Sequence, residues 1–404
     1  MRSVENTALY LMLIAGVSPV LYFFPSVEHF PWGLLCLMLF HRGVMASFLL
    51  VIAMIVYFIF GYYAYEVSGE SAGIATIFIL MNMISPLFFF RGNEARIGRA
   101  ARNVFWLYVI VGVLQMARIL IPVEDIIGLF IARFNGGPIG GGSSYRGVQM
   151  LETEPARASF QILVLFILAT ALSEGWKEKL LGVMVASQII LIGSTTGLLL
   201  TGIYLVFRFS GQAIRSPHLI VMFIAATFII YPSFRENPKT NLLIELYQDE
   251  GTRGAKTALA AASGGRFLGM LNAIDAIADK PLGHGPDPAF FEGVKVEVDD
   301  YSVPGYLTRA SARPVSSTLT YLYVYGFPMF FLLLYAARKT AGRLRAVPGV
   351  LFVGVLSVLY SPPASEITLL LLLSVIYKVN QKTAVAQSSE ARHELPSLKE
   401  PNFA

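Results

Sequence analysis

Residues 86–121 read PLFFFRGNEARIGRAARNVFWLYVIVGVLQMARILI. The apolar runs 71–90 and 103–121 meet across a short polar gap that carries Arg91, Arg96, Arg99 and Arg102. Each run is long enough to cross the roughly 30 Å of hydrocarbon in a bilayer. Lysine and arginine concentrate in the short cytoplasmic gaps of membrane proteins, so this gap fixes the inner face. Working outward, further apolar runs lie at 7–24, 30–41, 43–62, 159–173, 178–193, 195–208, 217–232, 313–337, 347–360 and 366–379, giving about twelve crossings. Gaps on the inner side hold Arg42, Lys177, Lys179, Arg208, Arg215, Arg338, Lys339, Arg343 and Arg345, while short gaps on the other side hold no lysine or arginine. Both ends are then cytoplasmic, and the long polar segments 122–158 and 233–312 are outside. Two spans are less sharply drawn: 30–41 is short, and 178–208 also reads as one long helix kinked at 194–197. Dropping either span alone would put arginine clusters outside, and the charge pattern therefore argues for both.

The expected fold is an all-α polytopic membrane protein of about 12 transmembrane helices with two long outer loops. Its parts are N-terminal helices over 1–121, a first outer loop at 122–158, central helices over 159–232, a large outer loop at 233–312, C-terminal helices over 313–380 and a disordered polar tail at 381–404.

Composition agrees, with 55% hydrophobic and 14% charged residues among 404 and a mean hydropathy of +0.62, too apolar for a soluble domain of this size. The net charge of +5 is the inward-facing basic excess of a membrane chain, and no nucleic-acid partner is expected. Cys36 is the single cysteine, which excludes an intrachain disulfide and a thiolate cluster. No small-residue cleavage site follows the first apolar run, which reads as a retained span.

The first outer loop runs through Asn135-Gly136-Gly137-Pro138-Ile139-Gly140-Gly141-Gly142-Ser143-Ser144 to Tyr145-Arg146. Its glycines suggest a hinge that moves; no strand precedes them and no Gly-Lys-Ser/Thr follows, which argues against a phosphate loop. Next come Glu152, Glu154-Pro155 and Arg157 at the mouth of the span starting near 159. They read as a salt-bridge set positioning a helix end, or as part of an anion site.

At about 80 residues, the second outer segment is too long for a plain connection. A helix is expected from Thr240 to about Ala262, then a second, amphipathic one with Ser263 as its N-cap. The latter carries Phe267, Met270, Leu271, Ile274, Ile277 and Ala278 on one stripe and Asn272, Asp275 and Asp279 opposite. Arg266 sits in its first turn, where free backbone N–H groups favour an anion and a guanidinium can grip phosphate oxygens bidentately. An arginine reaching from an interfacial helix to lipid headgroups is the competing reading. Lys280-Pro281-Leu282-Gly283-His284-Gly285 ends the helix with a histidine in the turn.

Arg266 with its helix, the Pro281-Leu282-Gly283-His284-Gly285 turn, Arg146 and Glu154-Pro155 together resemble the Wzy-type polysaccharide polymerase and O-antigen ligase superfamily, as does the order of spans and loops throughout the chain. The resemblance implies a lipid-sugar-dependent (GT-C-like) membrane glycosyltransferase in the bacterial inner membrane with its active site facing the periplasm. Its substrate would be an oligosaccharide on undecaprenyl pyrophosphate, and its working partners membrane lipid, a chain-length regulator and a flippase. The pyrophosphate-binding role passes to Arg146, Arg157 and Arg266. Ligases of this superfamily show a histidine, then Asn, Ser or Gln, nine residues and a glycine after the large loop; here the matching stretch is Val315-Ser316, nine intervening residues and Gly326. Valine in place of the ligase histidine favours a polymerase, with His284 the nearby imidazole.

Moving a glycan off pyrophosphate requires stabilised leaving-group charge and an acceptor hydroxyl behind the anomeric carbon. Arginines supply the first without a metal, and no cofactor is expected. A carboxylate or imidazole takes the hydroxyl proton: Glu154 first, then Asp275 and His284. The run Glu297-Val298-Asp299-Asp300 reads as solvated loop rather than a metal site. A flippase for the same lipid-linked sugars is the competing class; it would place its basic residues along the spans, whereas here they concentrate in the outer loops, with Arg118 a partial exception.

Overall fold

The computed structural model describes residues 2–15, 86–87, 89–90, 92–129, 134–139, 147–152, 154–172, 177–194, 197–198, 200–205, 248, 251, 266–284, 295–296, 310–311, 317–341, 369–377 and 381. The expected spans 30–41, 43–62, 217–232 and 347–360 lie outside these residues, as do most of the helix expected over 240–262, the proposed cap Ser263 and the tail after 381. The described part is all-α except for β1 (Lys295–Val296) and β2 (Ala310–Ser311), which pair antiparallel with Lys295 opposite Ser311.

Among the described residues the helices with both ends placed are α1 (Arg2–Ala15), α2 (Glu94–Met116), α3 (Glu124–Gly128), α4 (Pro155–Leu172), α5 (Lys177–Ala186), α6 (Arg266–Asp279) and α7 (Ser317–Ala341), with further helical backbone at 86–87, 89–90, 197–198, 200–205 and 369–377. Helices α2 and α4 are long and apolar enough to cross a membrane; at 1.5 Å per residue they extend about 34 Å and about 27 Å. Helix α2 starts at Glu94, so Arg96, Arg99 and Arg102 belong to its first turns and not to a gap before it. Their side chains can project to one end while the backbone hydrogen bonds continue, which hydropathy alone does not register.

Helix α4 is the centre of the described fold. Every residue from Ala158 to Thr170 is buried, in keeping with a helix apolar on all sides. It packs most extensively on α2, then on α5 and the π-helical turn Ser187–Ile192 that continues α5. Gly98 near the start of α2 meets Leu172 at the end of α4, so α2 and α4 are antiparallel. Helix α1 runs parallel to α2: Arg96 Nη1 donates to Glu5 Oε2 at 2.7 Å, Asn103 Nδ2 to the Tyr10 hydroxyl at 2.8 Å, and Tyr108 lies level with Ile14. Helix α5 returns antiparallel to α4, with Gln188 Nε2 donating to the Ser159 carbonyl at 2.8 Å. One end of this bundle therefore collects Arg96 and Glu5, and the other collects residues 147–159 and 187–197.

The π turn ends at Gly193, left-handed at φ 59°, whose N–H bonds the Gln188 carbonyl. Helical backbone resumes at Gly197, and Ser194 accepts from Leu198 N. The chain between 178 and 208 is thus broken at 193–194, at the start of the turn expected over 194–197, of which 195 and 196 lie outside the described residues.

Helix α6 packs on α7 and β2. Its buried residues are Ala273 and Ile277, with Met270 half-buried, while Ile274 is 45% exposed. Met270 and Ile277 of the expected stripe thus turn inward, Ala273 joins them, and Ile274 and Ala278 do not. The small side chain of Ala273 lets the helix approach its neighbours on that side. Asp275 and Asp279 are exposed, as their charge requires. Helix α7 is bent at Gly326 (φ 71°, ψ −179°), two residues before Pro328. A Cβ at Gly326 would collide with the Leu282–Gly283 peptide, so only glycine allows the turn after α6 to lie in the bend. Phe327 N donates to the Pro281 carbonyl at 2.9 Å across this junction.

Candidate functional site

The end of the bundle opposite Arg96 is where polar side chains gather. The segment 147–152 lies fully or largely buried between α2 and the π turn. Ile139 N donates to the Gly147 carbonyl and Val148 N to the Leu191 carbonyl, both at 2.9 Å. Gln115, buried on α2, grips the same segment from the other side. Its Oε1 accepts from Met150 N at 2.7 Å, and its Nε2 donates to the Met150 carbonyl at 3.1 Å and the Asn135 carbonyl at 2.7 Å. Met150 is left-handed at φ 56°, a conformation that costs a non-glycine residue free energy and persists only when its surroundings hold it. The Gln115 clamp satisfies both of its backbone groups.

Seven residues before Gln115, and so on the same face of α2, Tyr108 donates to Glu152 Oε1 at 2.7 Å, with both side chains fully buried. Gln161, buried on α4, donates through Nε2 to the Leu13 carbonyl at 2.7 Å. A carboxylate removed from water requires hydrogen-bonded company, and the tyrosine supplies it. Glu154, half-buried, precedes α4, and its carbonyl accepts from Arg157 N and Ala158 N at 3.1 Å. Arg157 is half-buried in the first turn. The glycine run is anchored at its near end: Gly136 and Gly137 are buried, Gly136 N donates to Glu124 Oε2 at 3.0 Å, and the Cα of Gly136 packs against the Ile121 backbone. At Gly136 glycine permits close approach, not only motion. Residues 140–146, with Arg146, lie outside the described residues.

The second group of sequence-predicted residues sits on α6 and its turn. Arg266 is the first residue of α6; its side chain is outside what is described. Asp275 is exposed on the same helix. His284 is half-buried and stacks on Tyr323 of α7, ring centroids 4.2 Å apart and planes 3° from parallel. Its backbone N–H donates to the Tyr323 carbonyl at 2.7 Å, and its Nε2 lies 2.8 Å from the Ala276 carbonyl. A carbonyl only accepts, so Nε2 carries a proton and the ring orientation is fixed. A proton-accepting role would have to fall to Nδ1. The His284 ring lies beside the second turn of α7, at Tyr323, and Val315 and Ser316 lie outside the described residues.

Among the described residues no group of three or more His, Cys, Asp or Glu is placed to hold a metal ion; Glu297, Asp299 and Asp300 lie outside them. Structure therefore joins Glu154 and Arg157 to a pinned segment at one helix mouth, and His284 to the α6–α7 junction. The sequence singles out none of Tyr108, Gln115 and Gln161, and it groups Glu152 with Glu154 and Arg157 without pointing to the tyrosine that binds it. The available signal was a polar side chain inside an otherwise apolar span, which demands a partner in lipid.

No protein-family model matches this chain, and no curated protein or solved structure matches it either.

Proposed function

We propose that this chain is a membrane polysaccharide polymerase. It would transfer a growing glycan from undecaprenyl pyrophosphate to a hydroxyl of a second lipid-linked repeat unit at the outer face of the bacterial inner membrane. The observation that carries the reading is the gathering of Glu152, Glu154 and Arg157 at the head of α4, on backbone pinned by Gln115, at one end of two membrane-length helices. The Arg146 and Arg266 motifs and the superfamily resemblance in the sequence support it further.

In this reaction the acceptor oxygen attacks the anomeric carbon, the bond from that carbon to pyrophosphate breaks, and the pyrophosphate leaves with the electron pair. Arg146, Arg157 and Arg266 stabilise its growing charge in place of a metal. A start-of-helix position favours the anion further for Arg157 and Arg266. Glu154 accepts the hydroxyl proton, with Asp275 and His284 the other candidates. A fixed backbone matters because an ångström of misplacement at the reacting atoms costs orders of magnitude in rate.

Purified protein supplied only with undecaprenyl-pyrophosphate-linked repeat units should yield a ladder of longer lipid-linked chains. Arg266→Lys should lose most of that ladder at unchanged protein level, since charge is retained and the planar fork is not. Wild-type activity in the lysine variant removes the pyrophosphate role. Transfer seen only when lipid A core is added makes the protein a ligase, and repeat units trapped inside a deletion strain make it a flippase.

A further inference from the structure

Helix α2 ends in a left-handed turn that arginine occupies. Ile119 N bonds the Leu114 carbonyl and Arg118 N the Gln115 carbonyl, both at 2.9 Å, with Arg118 at φ 61°. This pattern ordinarily places glycine at the left-handed position. Arginine there adds strain, and its side chain is exposed.

Beyond it the chain continues as a 3₁₀ turn over Ile121–Val123 and the short helix α3. Ile119 in the turn, Val123 at the end of the 3₁₀ turn, and Ile126 and Leu129, three apart on α3 and its C-cap, make an apolar stripe of the segment and are 59%, 37%, 61% and 59% exposed. Glu124 and Asp125 lie off that stripe. A protein in water does not leave so many large aliphatic side chains in one short segment uncovered without a partner. The stripe follows directly on Leu107, Ile110 and Val113, the exposed apolar side of α2, which is the side a membrane-crossing helix turns to lipid.

We infer that residues 118–129 form an interfacial strap lying in the outer leaflet, with the aliphatic stripe among the upper acyl chains and Arg118 at the depth of the headgroup phosphates. Continuity with the lipid-facing side of α2 and the charge match between guanidinium and phosphate select a lipid surface as the occupant. The strap has a consequence for the loop above it. Glu124 holds Gly136 N, and Ile121 packs beneath Gly136 and Gly137, so the depth of the strap sets the depth of residues 134–139. Through the Gln115 clamp on Asn135 and Met150, this extends to the backbone leading to Glu154 and Arg157. The inference rests on the membrane reading and is independent of the glycan chemistry.

The test uses the full chain in a Cys36→Ala background, reconstituted in phosphatidylcholine–phosphatidylglycerol vesicles. Single cysteines at Ile110, Asp125, Ile126 and Leu129 carry a nitroxide, and its collisions with oxygen and with a water-soluble nickel chelate are compared. Labels at Ile110, Ile126 and Leu129 should favour oxygen, with Ile126 and Leu129 shallower than Ile110, and the label at Asp125 should favour nickel. Ile126 and Leu129 provide duplicate readings should one variant fail to fold. Oxygen preference at Ile110 with nickel preference at Ile126 and Leu129 overturns the strap and leaves the membrane reading standing. Shielding of both strap labels from both reagents overturns it equally, because a protein then covers the stripe. Nickel preference at Ile110 overturns the membrane reading and the strap with it.

Discussion

Gln115→Met replaces the clamp on residues 135 and 150 with a side chain of similar length that makes no hydrogen bonds. Three bonds are lost. Side-chain hydrogen bonds inside membrane proteins average about 0.6 kcal/mol, which gives about 2 kcal/mol for the set; at the roughly 1 kcal/mol central to water-soluble proteins the set is worth about 3 kcal/mol. Two features push the value above the lower figure. Met150 N and its carbonyl are left buried without the side chain that satisfied them, and the left-handed Met150 loses the groups that hold it. The expected loss is about 2–4 kcal/mol, or about 30- to 700-fold in the folded-to-unfolded ratio. Gln115→Glu keeps the bond from Met150 N, loses both bonds from Nε2 and sets a carboxylate against two carbonyls, so it should be at least as destabilised. Reversible unfolding in dodecyl sulfate, followed by far-ultraviolet circular dichroism, measures both. A Gln115→Met protein within about 0.5 kcal/mol of wild type, close to the value of one such bond, would show that the clamp does not hold the segment.

Tyr108→Phe keeps the packing of a fully buried ring but removes the donor to Glu152, so thermal unfolding in detergent should shift down, by the equivalent of about 1.5–3 kcal/mol for a bond to a charged group; an unchanged melting temperature contradicts that role. Gly326→Ala drives a Cβ into the Leu282–Gly283 peptide at a positive φ and should cost more than about 1 kcal/mol, whereas Ala336→Gly, in the same helix away from the bend, should cost only about 1 kcal/mol; equal losses in the two would mean that the turn does not seat in the bend. On the proposed polymerase reading, purified protein with lipid-linked substrate should tolerate excess EDTA, because arginines would neutralise the leaving group; activity lost to chelator and restored by magnesium or manganese would bring Glu297, Asp299 and Asp300 into the site.

The amino-acid sequence by itself determined the features that depend on neighbouring residues. Apolar run length placed α4 within a few residues of its span, and the break after Ile192 falls at the edge of the turn expected over 194–197. Lys280-Pro281 closes α6, with Asp275 and Asp279 on its wet side. These are matters of hydropathy, φ and missing donors, which a chain carries locally. The tertiary structure decided what joins distant positions. Gln115 meets Met150, Tyr108 meets Glu152, Arg96 meets Glu5, and Gly326 admits the turn that carries His284. It also put Ala273 beside Met270 and Ile277 on the buried face of α6 and left Ile274 out, because which flank of a short helix is covered depends on the shape of its neighbour and not on its own periodicity alone. A polar residue in an apolar span announces that it needs a partner; which partner is settled only when packing brings the two helices side by side.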